Sequence, residues 1–179
     1  MTRVVTVLAL ALATCPAGLL AQQTAPDSAA PPAAHTCPPA TTLDELTKAL
    51  DDAVSGPGNK DRACLRDLML PDARLTPVAK SPDGSFAPRL LTVDDWINAV
   101  AKRGSAAFYE RQIKVAAESY GHFAHLWSTY EIRDTPDGKA TVTGINSVQA
   151  VNDGKRWHVL SVLWEPDTTA GPVPKKYLP

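Results

Sequence analysis

Few side chains in this sequence have the types and spacing that catalysis or metal binding requires. His122 and His125 stand three residues apart in a predicted strand, so they face opposite sides and cannot easily share one metal ion. His158 stands alone, and a lone histidine is a weak indication of a site. The sequence has no Ser-His-Asp arrangement, phosphate-binding glycine loop or Cys-x-x-Cys pair. We therefore predict neither a metal site nor a cofactor, and no motif indicates a hydrolase, a nucleotide-binding protein or a redox enzyme.

Four side chains are nevertheless candidates for the wall of a ligand pocket. Asn146 lies in a predicted central strand, and a buried amide needs hydrogen-bond partners, either within the sheet or on a ligand. Trp164 and Trp127 could line a cavity, although tryptophans on such strands also serve as core or dimer contacts. Glu110 could act as a general base, or it could be a solvated or ion-paired carboxylate.

The C-terminal part of the chain predicts the sheet that would carry these residues. Residues 139–165 alternate in polarity with the period of a strand, and the Asn152-Asp153-Gly154 turn divides them into two long strands. Residues 108–117 and 122–133 predict two further strands, and a Pro-Asp-Gly turn leads from them into the pair. The pattern therefore predicts four antiparallel strands in a meander.

Helices and a small hairpin are predicted before this meander. Residues 42–54 begin with the Thr-x-x-Glu spacing of a capping box and continue with apolar residues at helical spacing. A second helix is predicted over residues 60–70, a hairpin over residues 73–91 and a third helix over residues 92–104. We therefore predict an α+β fold, in which three N-terminal helices pack on one face of a curved antiparallel sheet.

This order of elements resembles the nuclear transport factor 2-like superfamily, which includes ketosteroid isomerase and the SnoaL-like polyketide cyclases. The resemblance rests on Asp67-Leu68-Met69-Leu70-Pro71-Asp72-Ala73, at the passage from the second helix into the first strand, and on the ending from Gly144 to Trp164. It covers nearly all of residues 41–165 and implies a cone-shaped, cystatin-like roll with a pocket between helices and concave sheet. Because this fold carries enzymes, binding proteins and interaction modules alike, it does not fix a function.

In the isomerase branch of the superfamily, a carboxylate base, a tyrosine and an acid carry the reaction. The resemblance places the base at Thr76-Pro77 and the tyrosine near Ala49, and none of these residues can perform either role. Asn146 stands at the position of the acid, and its amide can donate a hydrogen bond although it does not titrate. The resemblance therefore argues against isomerase chemistry by that mechanism.

The two ends of the chain predict export and extended segments. Arg3 and the apolar run after it have the pattern of a secretory signal peptide over residues 1–21, leading to a periplasmic or secreted protein. The sequence around Cys15 resembles a lipoprotein box, so acylation of this cysteine is an alternative to simple export. The Ala- and Pro-rich residues 22–40 predict a linker, and residues 166–179, with their four prolines, predict an extended tail.

Composition narrows the range of partners. With 18 basic and 19 acidic residues, the chain has no excess of positive charge, so nucleic acid is not an expected partner. No stretch is apolar over the about 20 residues that a membrane span requires, so a transmembrane protein is not expected either. Export would permit a disulfide between Cys37 and Cys64, whereas the alternative is a buried free thiol at Cys64 and an exposed one at Cys37.

These patterns predict an exported domain, residues 41–165, that binds a small apolar or amphipathic molecule, lacks a recognisable catalytic apparatus and forms a homodimer. One alternative is an enzyme of the SnoaL or isomerase type with a non-standard set such as Glu110, Asn146 and a histidine. The other is an interaction module that dimerises through the outer sheet face around Thr141, Thr143 and Gln149.

Overall fold

A computed structural model of the chain describes residues 36–179. The signal peptide, the lipoprotein box at Cys15 and most of the linker lie outside the described residues, so those assignments stay predictions. Among residues 36–179, no helix has both the length and the apolar character to cross a membrane.

The first helix begins where the sequence predicts. In α1 (Leu43–Val54), the Thr42 hydroxyl accepts a hydrogen bond from the Glu45 backbone N–H at 3.1 Å, and the Glu45 carboxylate accepts one from the Thr42 backbone N–H. These two bonds satisfy amide groups that have no partner within the helix. The helix α3 (Val93–Ala101) starts with the same kind of capping box.

Within residues 36–179, seven strands form one sheet, and the helices are arranged around it. In chain order they are β1 (Gly56–Pro57), β2 (Met69–Lys80), β3 (Phe86–Pro88), β4 (Ala107–Tyr120), β5 (Phe123–Arg133), β6 (Ala140–Asn152) and β7 (Trp157–Pro166). Their order across the sheet is β1-β4-β5-β6-β7-β2-β3. The predicted antiparallel meander is confirmed in β4 to β7, and the α+β class is confirmed with it.

Two details of the predicted fold are wrong. The sheet is mixed rather than antiparallel, because β2 runs parallel to β7, with Leu75 opposite Val162. Tight turns force neighbouring strands to run antiparallel, but β2 and β7 are far apart in the chain and no turn sets their direction. The second and third helices are also shorter than predicted: α3 ends at Ala101, and α2 covers only Ala63–Leu68, since Met69 leaves the helix to pair with Val159.

The predicted extended tail is instead a folded C-terminal segment, residues 166–179. It contains a short helix, α4 (Asp167–Ala170), and a 3-10 turn, Lys175–Tyr177, because its prolines interrupt regular structure without preventing single helical turns between them. Thr129 donates a hydrogen bond from its hydroxyl to the Tyr177 carbonyl oxygen at 2.6 Å. The segment therefore lies against the outer face of the sheet, opposite the face that the helices cover.

The residues before α1 are also attached to the sheet and to α2. Cys37 and Cys64 form a disulfide, so the structure resolves the alternative that the sequence left open. Ala40 is 1% exposed. Its carbonyl oxygen accepts a hydrogen bond from the Trp157 backbone N–H at 2.7 Å.

Loss of this disulfide is expected to lower the free energy of unfolding by about 3 kcal/mol. The bond closes a loop between residues 27 positions apart, and without it the unfolded chain gains the conformational freedom of that loop. Urea unfolding of the oxidised protein and of the double variant Cys37→Ser, Cys64→Ser measures the difference. Reduced wild type should match the variant, and equal midpoints for the oxidised protein and the variant would contradict the expectation.

A buried arginine organises the turn that follows α1. Arg62 is 2% exposed and has no carboxylate partner within residues 36–179. Its guanidinium donates four hydrogen bonds to backbone carbonyl oxygens, including those of Gly58 at 2.7 Å and Val54 at 3.2 Å. It also lies over the ring of Trp96, 5.6 Å from the centroid. Arg62 thereby connects the end of α1 to α3.

Candidate functional site

A cavity of about 350 Å³ lies between the helices and the sheet face that they cover. This volume is near the lower end of the range found for small-molecule sites, about 300 to 1,000 Å³. Most of its wall is apolar or aromatic and comes from both helices and strands, including Leu50, Val54, Trp96, Phe108, Val162 and Trp164. The cavity therefore suits a small molecule that is mainly apolar.

Polar side chains from three adjacent strands face this cavity: Glu110 from β4, Tyr130 from β5 and Asn146 from β6. The Asn146 amide nitrogen donates a hydrogen bond to Oε1 of Glu110 at 3.1 Å and lies 3.3 Å from Oε1 of Gln112. The Gln112 amide nitrogen in turn donates to Oε1 of Glu110 at 3.1 Å and to Oδ1 of Asp51 at 3.0 Å. One glutamine thus bridges a carboxyl group in the cavity wall to a second carboxyl group on α1.

Both carboxyl groups titrate closer to neutral pH than an exposed carboxyl group does. Burial raises the pKa of Glu110 to about 7, and the charge of Asp51 adds to this effect, while the hydrogen bonds from Asn146 and Gln112 oppose it. Burial likewise raises the pKa of Asp51 to about 6, against the hydrogen bonds from the backbone and side chain of Gln112. Neither carboxyl group forms an ion pair within residues 36–179.

The Tyr130 side chain is 2% exposed, and within residues 36–179 its hydroxyl has no hydrogen-bond partner. Burial, together with the nearby charge of Glu110, raises the pKa of Tyr130 above its usual range. Gly144 faces Tyr130 on the neighbouring strand, and a Cβ atom there would lie only 2.5 Å from Cζ of the ring. The glycine therefore leaves the space in which the tyrosine ring lies.

Charged side chains stand at other parts of the cavity wall. Arg103 and Asp134 both line it, and the Arg103 guanidinium lies 5.2 Å from the centre of the Phe108 ring. Thr141, which the dimerisation hypothesis placed on the outer face, lines this cavity instead. The pairing of β5 and β6 shifts register after Ile132, which disturbs the regular alternation of side chains there.

Of the four pocket candidates named from the sequence, the structure brings three together. Asn146, Glu110 and Trp164 line the same cavity. Trp127 does not, because it lies on the opposite face of β5, where it is 36% exposed and its ring is 5.8 Å from that of Tyr177. The period of two along the strand explains this, since Trp127 is an odd number of residues from the inward-facing Tyr130.

None of the histidines in the described residues 36–179 lines the cavity. His125 lies 3.0 Å from the Ser147 hydroxyl, and His158 lies 3.2 Å from a carboxylate oxygen of Asp153. The non-standard catalytic set with a histidine therefore has no histidine at this cavity. Among residues 36–179, no three histidine, cysteine, aspartate or glutamate side chains are grouped as metal binding requires.

Sequence reasoning missed Tyr130, which lines the cavity, and missed Gln112 and Asp51, which form hydrogen bonds in the network behind Glu110. Gln112 and Asp51 are 61 residues apart, so no local pattern relates them. Gln112 also precedes a register shift in the pairing of β4 with β5, which strand periodicity does not predict. One signal was available for Tyr130, because a glycine within a predicted strand often marks a place where another group comes close.

Comparison with known proteins identifies the fold. No protein-family model matches the sequence, and no curated protein matches it. Among solved structures, a protein of unknown function with a cystatin-like fold from Nostoc punctiforme matches with a TM-score of 0.53 at 11% identity, over 72% of this chain and 95% of that one. An NTF2-like protein of unknown function from Silicibacter pomeroyi matches with a TM-score of 0.48 at 15% identity, over 69% of this chain and 92% of that one.

The class of fold that the match to the Nostoc punctiforme protein shows is the cystatin-like α+β fold. The cystatin-like roll predicted from the sequence is confirmed by this likeness of fold. At identities of 11% and 15%, the matches carry no information on activity.

Proposed function

We propose that residues 41–165 form a domain that binds a small, mostly apolar molecule in the cavity between the helices and the sheet. The observation that carries this proposal is a cavity of about 350 Å³ with an aromatic and aliphatic wall and a few convergent polar groups. Such a combination is typical of small-molecule sites. Asn146, Glu110 and Trp164 are the proposed contact residues that the sequence indicated, and Tyr130 is a further one.

Native mass spectrometry of protein purified from its own cells, followed by denaturing extraction, tests the proposal. A defined small molecule bound at stoichiometric level is the expected result. If the protein is empty, thermal unfolding in the presence of lipophilic metabolites is the second measurement, because a bound ligand stabilises the folded state. A melting temperature that no compound moves would contradict the proposal.

Two tryptophan variants on the same strand test whether the ligand binds in the cavity, one filling the cavity and the other serving as its control. Val142 lines the cavity from β6, and Val142→Trp should abolish the ligand-induced shift in melting temperature. Val151 lies on the same strand, an odd number of residues away and thus on the other face, so Val151→Trp should leave the shift intact. Equal shifts in both variants would place the ligand outside the cavity.

We also propose that the chain is exported by the signal peptide predicted for residues 1–21. The disulfide between Cys37 and Cys64 supports this, because such bonds form in oxidising compartments outside the cytosol. The intact mass of the mature protein reports the cleavage site and separates simple export from acylation at Cys15.

Homodimerisation through the outer sheet face is a further part of the proposal. Phe123 and Leu163 are apolar side chains that remain 55% and 44% exposed, and Leu163 shares its face with Trp127. Exposed apolar groups of this kind are typical of interfaces. The same native mass spectrum gives the mass of the assembly, and a monomer at all concentrations would exclude the dimer.

An enzyme is the second candidate function, favoured by one observation. Glu110 has a pKa of about 7 and lines an apolar cavity, which is the condition in which a carboxyl group acts as a general acid or base near neutral pH. If an activity is found, Glu110→Gln should lower its rate at least 100-fold. An unchanged rate in this variant would exclude the enzymatic role of Glu110.

A further inference from the structure

Three polar atoms that face the cavity form no hydrogen bond within residues 36–179. Both hydrogen bonds to the Glu110 carboxyl group reach Oε1, so Oε2 has no partner within residues 36–179. The Asn146 nitrogen faces Glu110 and Gln112, which leaves its carbonyl oxygen without a partner in the same part of the chain. The Tyr130 hydroxyl is the third such group. None of the three atoms is sealed from the cavity, so a molecule that covers them either forms hydrogen bonds with them or leaves them unpaired at a cost of about 1–3 kcal/mol.

The orientation of the Asn146 amide follows from its neighbours. Glu110 presents carboxyl oxygens, and Oε1 of Gln112 accepts a hydrogen bond from the Ser128 hydroxyl. Exchanging the nitrogen and oxygen of Asn146 would bring oxygen against oxygen at both contacts, which is unfavourable. The carbonyl oxygen of Asn146 is therefore the atom left for a ligand, and it can only accept.

We infer that the ligand is an uncharged phenol or alcohol, whose hydroxyl donates to the Asn146 carbonyl oxygen or Glu110 and accepts a hydrogen bond from Tyr130. This inference rests on the proposed binding function and specifies its ligand class. A hydroxyl fits because Asn146 requires a donor, while the Tyr130 hydroxyl can supply a hydrogen bond of its own. The aromatic and aliphatic wall then surrounds the rest of the molecule.

The charges around the cavity favour an uncharged ligand over either kind of ion. An anion would lie beside Glu110, with Asp51 behind it through the Gln112 bridge. Two of the aromatic rings in the wall already have a cation over one face, since the Arg62 guanidinium lies over the Trp96 ring and that of Arg103 lies over the Phe108 ring, which makes them less attractive to a cationic ligand. Arg103 and Asp134 also line the cavity, but both are exposed, so solvent weakens their attraction for an ion held at Asn146, while desolvating that ion in an apolar cavity is costly.

Four probes that share a 4-propylphenyl group test this inference by calorimetric titration at pH 7. These are 4-propylphenol, 4-propylanisole, 4-propylbenzoate and 4-propylbenzylamine; the methyl ether accepts a hydrogen bond but cannot donate one. We expect 4-propylphenol to bind at least about tenfold more tightly than the other three, since only it satisfies Asn146 without introducing charge. Equal affinity for the phenol and the ether would overturn the inference, as would tightest binding of the carboxylate or the amine.

Tyrosine variants give a second, independent readout. Tyr130→Phe removes a hydroxyl that has no hydrogen-bond partner within residues 36–179, so the variant should fold normally and bind 4-propylphenol about tenfold more weakly. Tyr109 lies outside the cavity on the same sheet, and Tyr109→Phe should bind the phenol as wild type does. An unchanged affinity in Tyr130→Phe would overturn the inference. Failure of all four probes to bind would instead contradict the binding function itself.

Discussion

Arg62→Met is expected to lower the free energy of unfolding by about 4 kcal/mol, the largest single effect that we predict. The substitution retains most of the buried apolar stem but removes the donors of four hydrogen bonds to backbone carbonyl oxygens. The Pro57 oxygen keeps a second partner in the Lys60 backbone N–H, whereas Gly58 and Val54 lose their side-chain donor in a buried region. Urea unfolding of wild type and variant at pH 7 measures the loss.

A neighbouring arginine provides the control for this experiment. Arg66 is half exposed and pairs with Asp94, which is exposed as well. Exposed ion pairs contribute about 0 to 1 kcal/mol, so Arg66→Met should lower the free energy of unfolding by no more than about 1 kcal/mol. Similar losses in both variants would show that the backbone contacts of Arg62 do not stabilise the turn after α1. A small loss in Arg62→Met would have the same meaning.

The second large effect is a fall in stability as the pH rises from 4.5 to 7. The pKa of Glu110 is raised to about 7 from 4.5 by burial, so between these values the folded protein binds a proton that the unfolded chain has released. Stability then decreases with increasing pH, because the unfolded state binds fewer protons than the folded state. The raised pKa of Glu110 corresponds to a loss of about 3 kcal/mol in the free energy of unfolding, and this loss is nearly complete at about pH 7.5. Asp51, with its pKa raised to about 6, acts in the same direction.

Comparison of variants isolates the contribution of Glu110. Glu110→Gln replaces the carboxyl group by a neutral amide of similar shape, so its free energy of unfolding should fall much less between pH 4.5 and 7.5. Glu118 lies on the same strand but is exposed, and Glu118→Gln should retain the full pH dependence of wild type. A pH dependence in Glu110→Gln as steep as in wild type would mean that the buried carboxyl group does not bind the proton.

The sequence predicted those parts of the molecule that depend on local patterns. The capping box of α1 is determined by two side chains three residues apart, and it appears where expected. Asn146 was found because strand alternation and a polar residue among apolar ones can be seen within a few residues. Glu110 was named for its chemistry, but nothing local indicated that its carboxyl group would be buried.

What the sequence could not predict depends on contacts between distant residues. Asn146 and Glu110 are 36 residues apart, and only the order β4-β5-β6 across the sheet brings their side chains together. The parallel pairing of β2 with β7 is of the same kind, since no turn connects these strands. Trp127 was assigned to the pocket wrongly for a different reason. Strand alternation sorts residues into two faces of the sheet, but it does not say which face encloses the cavity.

The attachment of the C-terminal segment has a consequence for how this protein can diverge in evolution. Thr129 and Lys114 hold the segment through the backbone oxygens of Tyr177, Lys176 and Leu178, so these bonds do not depend on which side chains the segment carries. Selection for the attachment therefore acts on the two strand residues. We therefore expect homologous chains that have the segment to retain Thr129 and Lys114, and chains that lack the segment to lose both residues. The sequence of the segment itself should vary more freely, except at Tyr177, whose ring contacts Trp127.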